Sequence, residues 1–178
     1  MAQLDRILEQ YRSLMRGGRK TFAASQTHLF LVRKGVLASE RSPWDDEFSF
    51  ATHVGQAKPV DDEDDDVEHS GWIIVPVRKR DGGPFPERIG VGRARNCDVV
   101  LRFPSVSKLH AQFRVVTDIQ SFQLVDLTSA NGTQVNGKII PPRTPSDVRA
   151  GDLLQFGSVQ VALLDAGATF DLVESVAR

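Results

Sequence analysis

The chain has 178 residues, of which 40 % are hydrophobic and 25 % are charged, a composition typical of a soluble protein with room for one sizeable core. The formal net charge of −1 argues against a general nucleic-acid-binding role, because a surface that neutralises phosphates produces an excess of Lys and Arg. The charge is unevenly distributed: residues 1–70 hold nine basic and 13 acidic side chains, a net of −4, whereas residues 71–178 hold 13 and ten, a net of +3.

Apolar side chains recur at spacings of three and four within residues 3–16, which predicts an amphipathic helix. Its apolar stripe consists of Leu4, Ile7, Leu8, Tyr11, Leu14 and Met15. The Gly17-Gly18 pair should end the helix. The stripe either packs against the chain's own domain or serves docking to a partner or self-association, and the sequence leaves both readings open.

An apolar run at residues 28–32 fits a short strand, and we group residues 1–38 as an N-terminal segment. Residues 39–70 are rich in Ser, Pro, Gly and acids, which predicts a disordered linker. Its acidic run, Asp61–Asp66, is interpreted either as a solvated spacer or as a poor phosphate mimic that lies across a basic pocket. The run lacks the glycine turn and spaced ligands of a calcium loop, so no metal site is expected.

From residue 72 the sequence changes to short β-rich runs separated by turns, with no helical pattern between them. This spacing predicts an all-β domain over residues 71–165, folded as two antiparallel sheets packed into a sandwich with binding loops at one end. Asn136-Gly137, between Val135 and Lys138, is a strong signal for a type I′ hairpin. The tail, residues 166–178, fits a short helix.

The single cysteine, Cys97, cannot form an intramolecular disulfide, and its place in a β-like run favours a small buried packing residue over a catalytic one. The sequence contains no secretory leader pattern and no long apolar run. We therefore expect a cytoplasmic protein without membrane insertion.

Four short motifs occur in order in the β-rich region: Gly92-Arg93, Asp98-x-x-Leu101, Ser107-x-x-His110 and Asn131-Gly132. Gly90-Val91-Gly92 does not indicate a nucleotide loop, because the third glycine of a dinucleotide fingerprint, a Gly-Lys-Ser/Thr and a following helix are absent. The third motif, Ser107-x-x-His110, does not indicate a hydrolase, because the sequence has neither a nucleophile elbow nor the pattern of an acidic catalytic partner beside it.

Together the four motifs resemble the forkhead-associated (FHA) domain, a β-sandwich family that recognises phosphothreonine. The resemblance covers roughly residues 71–165. It implies an FHA/SMAD-like sandwich, no catalytic residue, no cofactor and no metal. It also implies a partner that carries phosphothreonine, either a Ser/Thr kinase or the substrate of one.

By this resemblance Arg93 and Ser107 contact the phosphate, Lys108 adds charge beside it, and Asn131 holds the ligand backbone. The chemistry suits these roles: a guanidinium can meet a phosphate with two parallel hydrogen bonds, and the Ser107 hydroxyl is a donor, with the amide of its loop as a second candidate.

The resemblance also gives architectural roles to Gly92, His110 and Gly132: His110 braces the Ser107 loop, and Gly132 forms a turn. Two positions depart from relatives that read further ligand residues, namely Ser105, where some relatives are basic, and Ala130, where others are polar or bulky. The preferred ligand sequence is therefore open.

Two functions are compatible with these residues. The first is a phosphothreonine-dependent adaptor in Ser/Thr kinase signalling. The second is a structural assembly subunit whose sandwich and N-terminal helix make phosphate-independent contacts, which would follow if the domain no longer bound phosphate.

Overall fold

The computed structural model of the protein describes residues 11–33, 73–116 and 121–176. Within these ranges eleven strands form two sheets that pack face to face. The first sheet has six strands in the order β2-β1-β11-β10-β7-β8, and the second has five in the order β4-β3-β5-β6-β9. All pairs are antiparallel except β3 and β4, which are parallel. The predicted β-sandwich is confirmed.

The strands are short, as the turn spacing predicts. Their bounds are β1 Leu29–Arg33, β2 Ile73–Val77, β3 Arg88–Gly92, β4 Val99–Val100, β5 Ala111–Val116, β6 Ser121–Asp126, β7 Thr133–Val135, β8 Lys138–Ile139, β9 Ser146–Val148, β10 Leu153–Phe156 and β11 Val159–Leu164.

The core between the sheets follows the alternation of side chains along the strands, which repeats every two residues. In β11, Val159, Val161 and Leu163 are buried and point inward, alternating with less buried residues. Phe156 on β10 and Phe113 on β5 fill the same layer and are fully buried. Because each strand contributes every second residue, the two inner faces interdigitate and the connecting loops remain at the ends.

Asn136-Gly137 connects β7 and β8, and both residues have positive φ, 51° and 78°. This is the backbone conformation of a type I′ turn, so the hairpin prediction is confirmed.

A second apolar cluster covers the outer face of the six-stranded sheet. It contains Tyr11, Met15, Phe22, Phe30, Val32, Ile74, Ala166, Phe170 and Val173. Two helices supply much of it, α1 Gly18–Ser25 and α2 Ala166–Val176. Arg19 on α1 donates two hydrogen bonds to the Asp171 carboxylate on α2, at 2.8 and 3.0 Å. The termini of the described chain therefore pack together on one face of the sandwich.

The predicted amphipathic stripe is partly described. Residues 11–14 are helical, Tyr11 and Met15 are buried in the second cluster, and Leu14 is 54 % exposed. Leu4, Ile7 and Leu8 lie outside the described residues. A 3₁₀ turn, Met15–Gly17, and the positive φ of Gly18 interrupt the helix where the glycine pair predicts, but α1 then continues the helical path, which the sequence did not predict.

The sandwich differs from the sequence prediction at two strands. β1 is not part of a separate N-terminal segment: it lies inside the six-stranded sheet, between β2 and β11, with Leu31 facing the core and Phe30 facing the helices. β9 was not predicted, because its short, polar sequence lacks a strand pattern and only its pairing with β6 makes it a strand. The acidic run Asp61–Asp66 lies outside the described residues. No helix in the described ranges has the length and apolarity needed to cross a membrane.

Candidate functional site

Three loops and one turn meet at one end of the sandwich. They are the β3–β4 loop (residues 93–98), the β4–β5 loop (101–110), the β6–β7 loop (127–132) and the β10–β11 turn (157–158). Hydrogen bonds join each of them to at least one of the others. All four sequence motifs contribute residues to this end.

His110 connects the β4–β5 loop to the β6–β7 loop. Its ring is fully buried, its Nδ1 accepts a hydrogen bond from the Ser107 amide at 3.0 Å, and its Nε2 lies 3.1 Å from the Gly132 carbonyl oxygen. Because an amide only donates and a carbonyl only accepts, these partners assign the neutral tautomer with the proton on Nε2. The ring also packs edge-on against Phe156, with centroids 5.8 Å apart. His110 thus fixes the spacing of the two loops.

The structure determines how the Ser107 loop can donate to a ligand. The Ser107 amide is committed to His110, so it is not the second phosphate donor that the sequence suggested. The Ser107 hydroxyl oxygen accepts a hydrogen bond from the Ala130 amide at 3.1 Å. A hydroxyl that accepts still has its own proton to donate, so the side chain is the better candidate.

Burial lowers the pKa of the His110 imidazole below its ordinary value, although the hydrogen bond to Gly132 and the charge of Asp126 act in the opposite direction. Burial, with the nearby charge of Arg78, also lowers the pKa of His28. Below an unfolded-state pKa of about 6.5 the unfolded chain therefore binds more protons than the folded one, and the free energy of unfolding falls as pH falls.

We expect urea unfolding between pH 8 and pH 5 to show this loss of stability below about pH 6.5, above the range in which the carboxylates titrate. The His28→Gln variant should retain part of the slope, and NMR titration of the His110 ring should show a lowered pKa. A free energy of unfolding that is constant over this range would contradict the buried neutral ring.

Hydrogen bonds connect the β3–β4 loop to the β4–β5 loop. The Arg93 amide donates to the Ser107 carbonyl at 3.0 Å, and the Ala94 amide and the Cys97 thiol donate to the Lys108 carbonyl at 3.1 and 3.2 Å. Gly92 makes this approach possible, since a Cβ there would meet the Lys108 carbonyl group and lie 2.9 Å from the Cys97 sulfur. The motif glycine is thus needed for close backbone packing.

Cys97 lies in this contact and is buried. Burial, followed by the charge of Asp98, raises the pKa of its thiol. A thiol with these surroundings is a packing residue and not an activated nucleophile.

Asp98, the acid of the second motif, anchors the β2–β3 connection to the β3–β4 loop. Its carboxylate accepts hydrogen bonds from the Gly90 amide at 2.7 Å, the Arg80 amide at 3.1 Å and the Lys79 ammonium at 3.0 Å. Burial opposes ionisation, but these hydrogen bonds outweigh it and lower the pKa of Asp98. The carboxylate therefore has an architectural role.

Asp126 has a corresponding role in the β6–β7 loop, which the sequence reasoning missed. Its buried carboxylate accepts hydrogen bonds from the amide and hydroxyl of Ser129, at 3.0 and 2.5 Å, and from the Thr133 hydroxyl at 2.5 Å. Burial opposes its ionisation, but these bonds prevail and lower the pKa of Asp126. An Asp followed three residues later by Ser was the only available sequence signal for this role of Asp126.

Gly132, in the same loop, has a φ of 75°, and its carbonyl also accepts from the Gly157 amide at 3.0 Å.

The residues assigned to ligand contact lie on these bonded loops. The Arg93 side chain is half-buried and its Nε donates to the Val106 carbonyl at 3.3 Å, while Lys108 is exposed. The Asn131 side chain is exposed and uses one N–H on the Ser105 carbonyl at 2.8 Å, which leaves the Oδ1 acceptor and a second N–H.

Ser105 is used inside the protein. Its hydroxyl accepts from the Ser158 amide at 3.2 Å and lies 2.7 Å from the Ser158 hydroxyl. Gly157, with a φ of 60°, packs directly on the Ser105 backbone. The position at which some relatives carry a basic residue is therefore a contact to the β10–β11 turn in this chain.

The fold and the loops at one end of it define the class of this domain. It is a two-sheet β-sandwich that carries polar side chains, among them arginine, serine and asparagine, at one end. Residues 89–157 match the family model of the FHA domain. The chain contains an FHA domain.

Curated relatives match part of the chain. The chain is 35 % identical over 77 residues to the FHA domain-containing protein PS1 of Arabidopsis thaliana, covering 43 % of this chain and 5 % of that protein. It is 42 % identical over 73 residues to the human (Homo sapiens) angiogenic factor with G patch and FHA domains 1, covering 38 % of this chain and 10 % of that protein. The chain thus spans at most a tenth of the length of these relatives.

Among solved structures, the N-terminal FHA domain of Rad53p from S. cerevisiae, in complex with a phosphothreonine peptide, aligns with a TM-score of 0.41 at 22 % identity, covering 49 % of this chain and 74 % of that chain. Mycobacterium tuberculosis EmbR, in complex with a low-affinity phosphopeptide, aligns with a TM-score of 0.45 at 18 % identity, covering 83 % of this chain and 27 % of that chain.

Proposed function

We propose that this chain is an interaction module, not an enzyme, that binds a phosphothreonine-containing segment of a partner protein. The observation that carries the proposal is the joining of the Arg93, Ser107 and Asn131 loops by direct hydrogen bonds at one end of the sandwich. A Ser/Thr kinase or a substrate of such a kinase is the partner class that fits. A cytoplasmic location stays a prediction.

The proposed chemistry assigns one task to each side chain. The Arg93 guanidinium supplies charge-assisted hydrogen bonds to the phosphate, and the Ser107 hydroxyl donates its remaining proton. Lys108, exposed on the same loop, contributes a second positive charge. Asn131 holds the extended ligand backbone through its remaining acceptor and donor. Because hydrogen bonds within the protein fix these loops, the site should be largely preorganised and lose little entropy on binding.

Calorimetric titration with three matched peptides that carry phosphothreonine, phosphoserine or unmodified threonine at one position tests the proposal. We expect binding of both phosphopeptides and no measurable binding of the unmodified one. The phosphothreonine peptide should bind about fourfold more tightly than the phosphoserine peptide, because burial of one extra methyl contributes about 0.8 kcal/mol. Equal affinity for the phosphorylated and unmodified threonine peptides would overturn the proposal.

The same titration separates this function from the second candidate, a phosphate-independent assembly subunit. Of the N-terminal stripe, Tyr11 and Met15 are already packed in the chain's own second cluster, whereas the 54 % exposed Leu14 is available to a partner. Helix-mediated docking or self-association stays a prediction, and it would be favoured if a partner bound without regard to phosphorylation.

The acidic run is expected to compete weakly with outside ligands. Deleting the chain up to the end of the linker cannot test this, because the deletion would remove β1 from the middle of the sheet. We expect replacement of the six acids of Asp61–Asp66 by Asn and Gln to strengthen phosphopeptide binding about two- to threefold at low salt, with the effect fading at high salt. Neutralising Asp45, Asp46 and Glu47 is the control. Equal effects of both changes, or none, would make the run a solvated spacer.

A further inference from the structure

Arg80 is held against the loop that carries Arg93. Its amide donates to the Asp98 carboxylate at 3.1 Å, and its guanidinium Nη1 donates to the Arg95 carbonyl at 2.6 Å. Asp98 is itself fixed by Gly90 and Lys79. The position of this exposed arginine is therefore determined at both its backbone and its guanidinium.

The charge of Arg80 is not neutralised by the group that holds it, because a carbonyl oxygen carries no formal charge. Within the described ranges neither Arg80 nor Arg95 has an ion pair with a carboxylate. The Asp98 carboxylate, which accepts from the Arg80 amide, is already paired with Lys79 at 3.0 Å. Two exposed guanidinium-bearing residues thus share one short stretch of surface, and a bound anion would relieve their repulsion.

This stretch adjoins the proposed phosphate site. Arg95 follows Arg93 by two residues, which limits their Cα separation to about 7 Å. An extended ligand advances about 3.3 Å per residue. A ligand side chain within about four residues of the phosphothreonine can therefore reach Arg80 and Arg95.

We propose that Arg80 and Arg95 form a second anion subsite, which selects partner segments bearing an acidic side chain or a second phosphate near the phosphothreonine. This inference rests on the proposed function and adds the chemistry of the preferred ligand. It also gives a role to basic residues that lie outside the four motifs.

The test uses the full chain and an uncharged peptide of Ala, Ser and Gln with one central phosphothreonine. Glutamate is placed in turn at each of the four positions on either side, and a second phosphothreonine is then placed at the best position. Affinities are measured by calorimetry for wild type and for the Arg80→Gln and Arg95→Gln variants. Arg149→Gln is the matched control, because Arg149 precedes β10 at the opposite end of the sandwich and its loss changes the net charge equally.

We expect glutamate at one favoured position to strengthen binding about two- to fivefold at low salt, and the second phosphate to strengthen it further, up to about tenfold, because its charge is larger. Both affinity ratios, with the second anion over without it, should fall towards one in Arg80→Gln and Arg95→Gln and persist in Arg149→Gln. Gains from glutamate alone, or from phosphate alone, would identify which anion the subsite accepts.

Two results overturn the inference while leaving the proposed function intact: a singly phosphorylated peptide that binds without gain from any second anion, or a gain that survives unchanged in both variants. Failure of every phosphothreonine peptide to bind would instead remove the proposed function, and this inference with it.

Discussion

Replacing Arg93 by alanine is expected to weaken phosphothreonine-peptide binding about 30-fold or more while the domain remains folded. Removing one member of a desolvated, hydrogen-bonded charge pair costs about 2–5 kcal/mol, and every 1.4 kcal/mol is a factor of ten in affinity. Within the protein Arg93→Ala removes the hydrogen bond from Nε to the Val106 carbonyl, and one such bond contributes about 1 kcal/mol, so we expect the domain to remain folded.

Two further variants make the measurement specific. Arg93→Lys keeps the charge but cannot form two parallel hydrogen bonds, so its affinity should fall between those of wild type and Arg93→Ala. Arg149→Ala removes the same charge far from the site and should bind normally. Calorimetry gives the affinities and thermal unfolding verifies the fold; a folded Arg93→Ala variant with wild-type affinity would contradict the assignment.

Replacing Gly92 by alanine should destabilise the domain by about 3 kcal/mol. The new methyl would meet the carbonyl group of Lys108 and lie 2.9 Å from the Cys97 sulfur. Since backbone cannot rotate away as a side chain can, the β3–β4 and β4–β5 loops must separate, and the Arg93–Ser107 backbone hydrogen bond would be lost with them. Phosphopeptide affinity should fall in parallel.

Gly90 on the same strand provides the matched control. A Cβ at Gly90 would lie 3.4 Å from the nearest atom, Cδ1 of Leu109, which is ordinary contact with a flexible side chain. Gly90→Ala should therefore change the free energy of unfolding by less than about 1 kcal/mol. Urea unfolding of both variants checks this. Equal stability of the two would show that the close approach at Gly92 does not constrain the loops.

Much of the site could be predicted because its motif residues are tied to short, local chain geometry. Gly92, His110 and Gly132 were expected to be architectural, and the chemistry of each residue explains its position. Gly92 allows close packing of two backbone segments, and both ring nitrogens of His110 make hydrogen bonds. Gly132 has a positive φ of 75°. The sequence did not predict that the Ser107 amide is used by His110, because a motif names residue types and not their hydrogen-bond partners.

Ser158 and Arg80 were missed because each acts through a partner that only folding brings close, such as Ser105, which is 53 residues before Ser158 in the chain. Asp126 was missed although its partners, Ser129 and Thr133, are near it in the sequence. Polar residues in turns are common in any sequence, and no periodicity distinguishes those that join two loops from those that face solvent.

The sequence by itself determined the fold class, the succession of short strands and turns, and the Asn136-Gly137 hairpin, because side-chain alternation and turn residues are local properties of the chain. The tertiary structure alone decided that β1, which 39 intervening residues separate from β2, lies between β2 and β11, and that α1 and α2 cover the outer face of that sheet. It also decided that Ser146–Val148 is a strand. Pairing between distant segments depends on which complementary edges and apolar faces meet in the folded chain, and no short window of sequence contains that information.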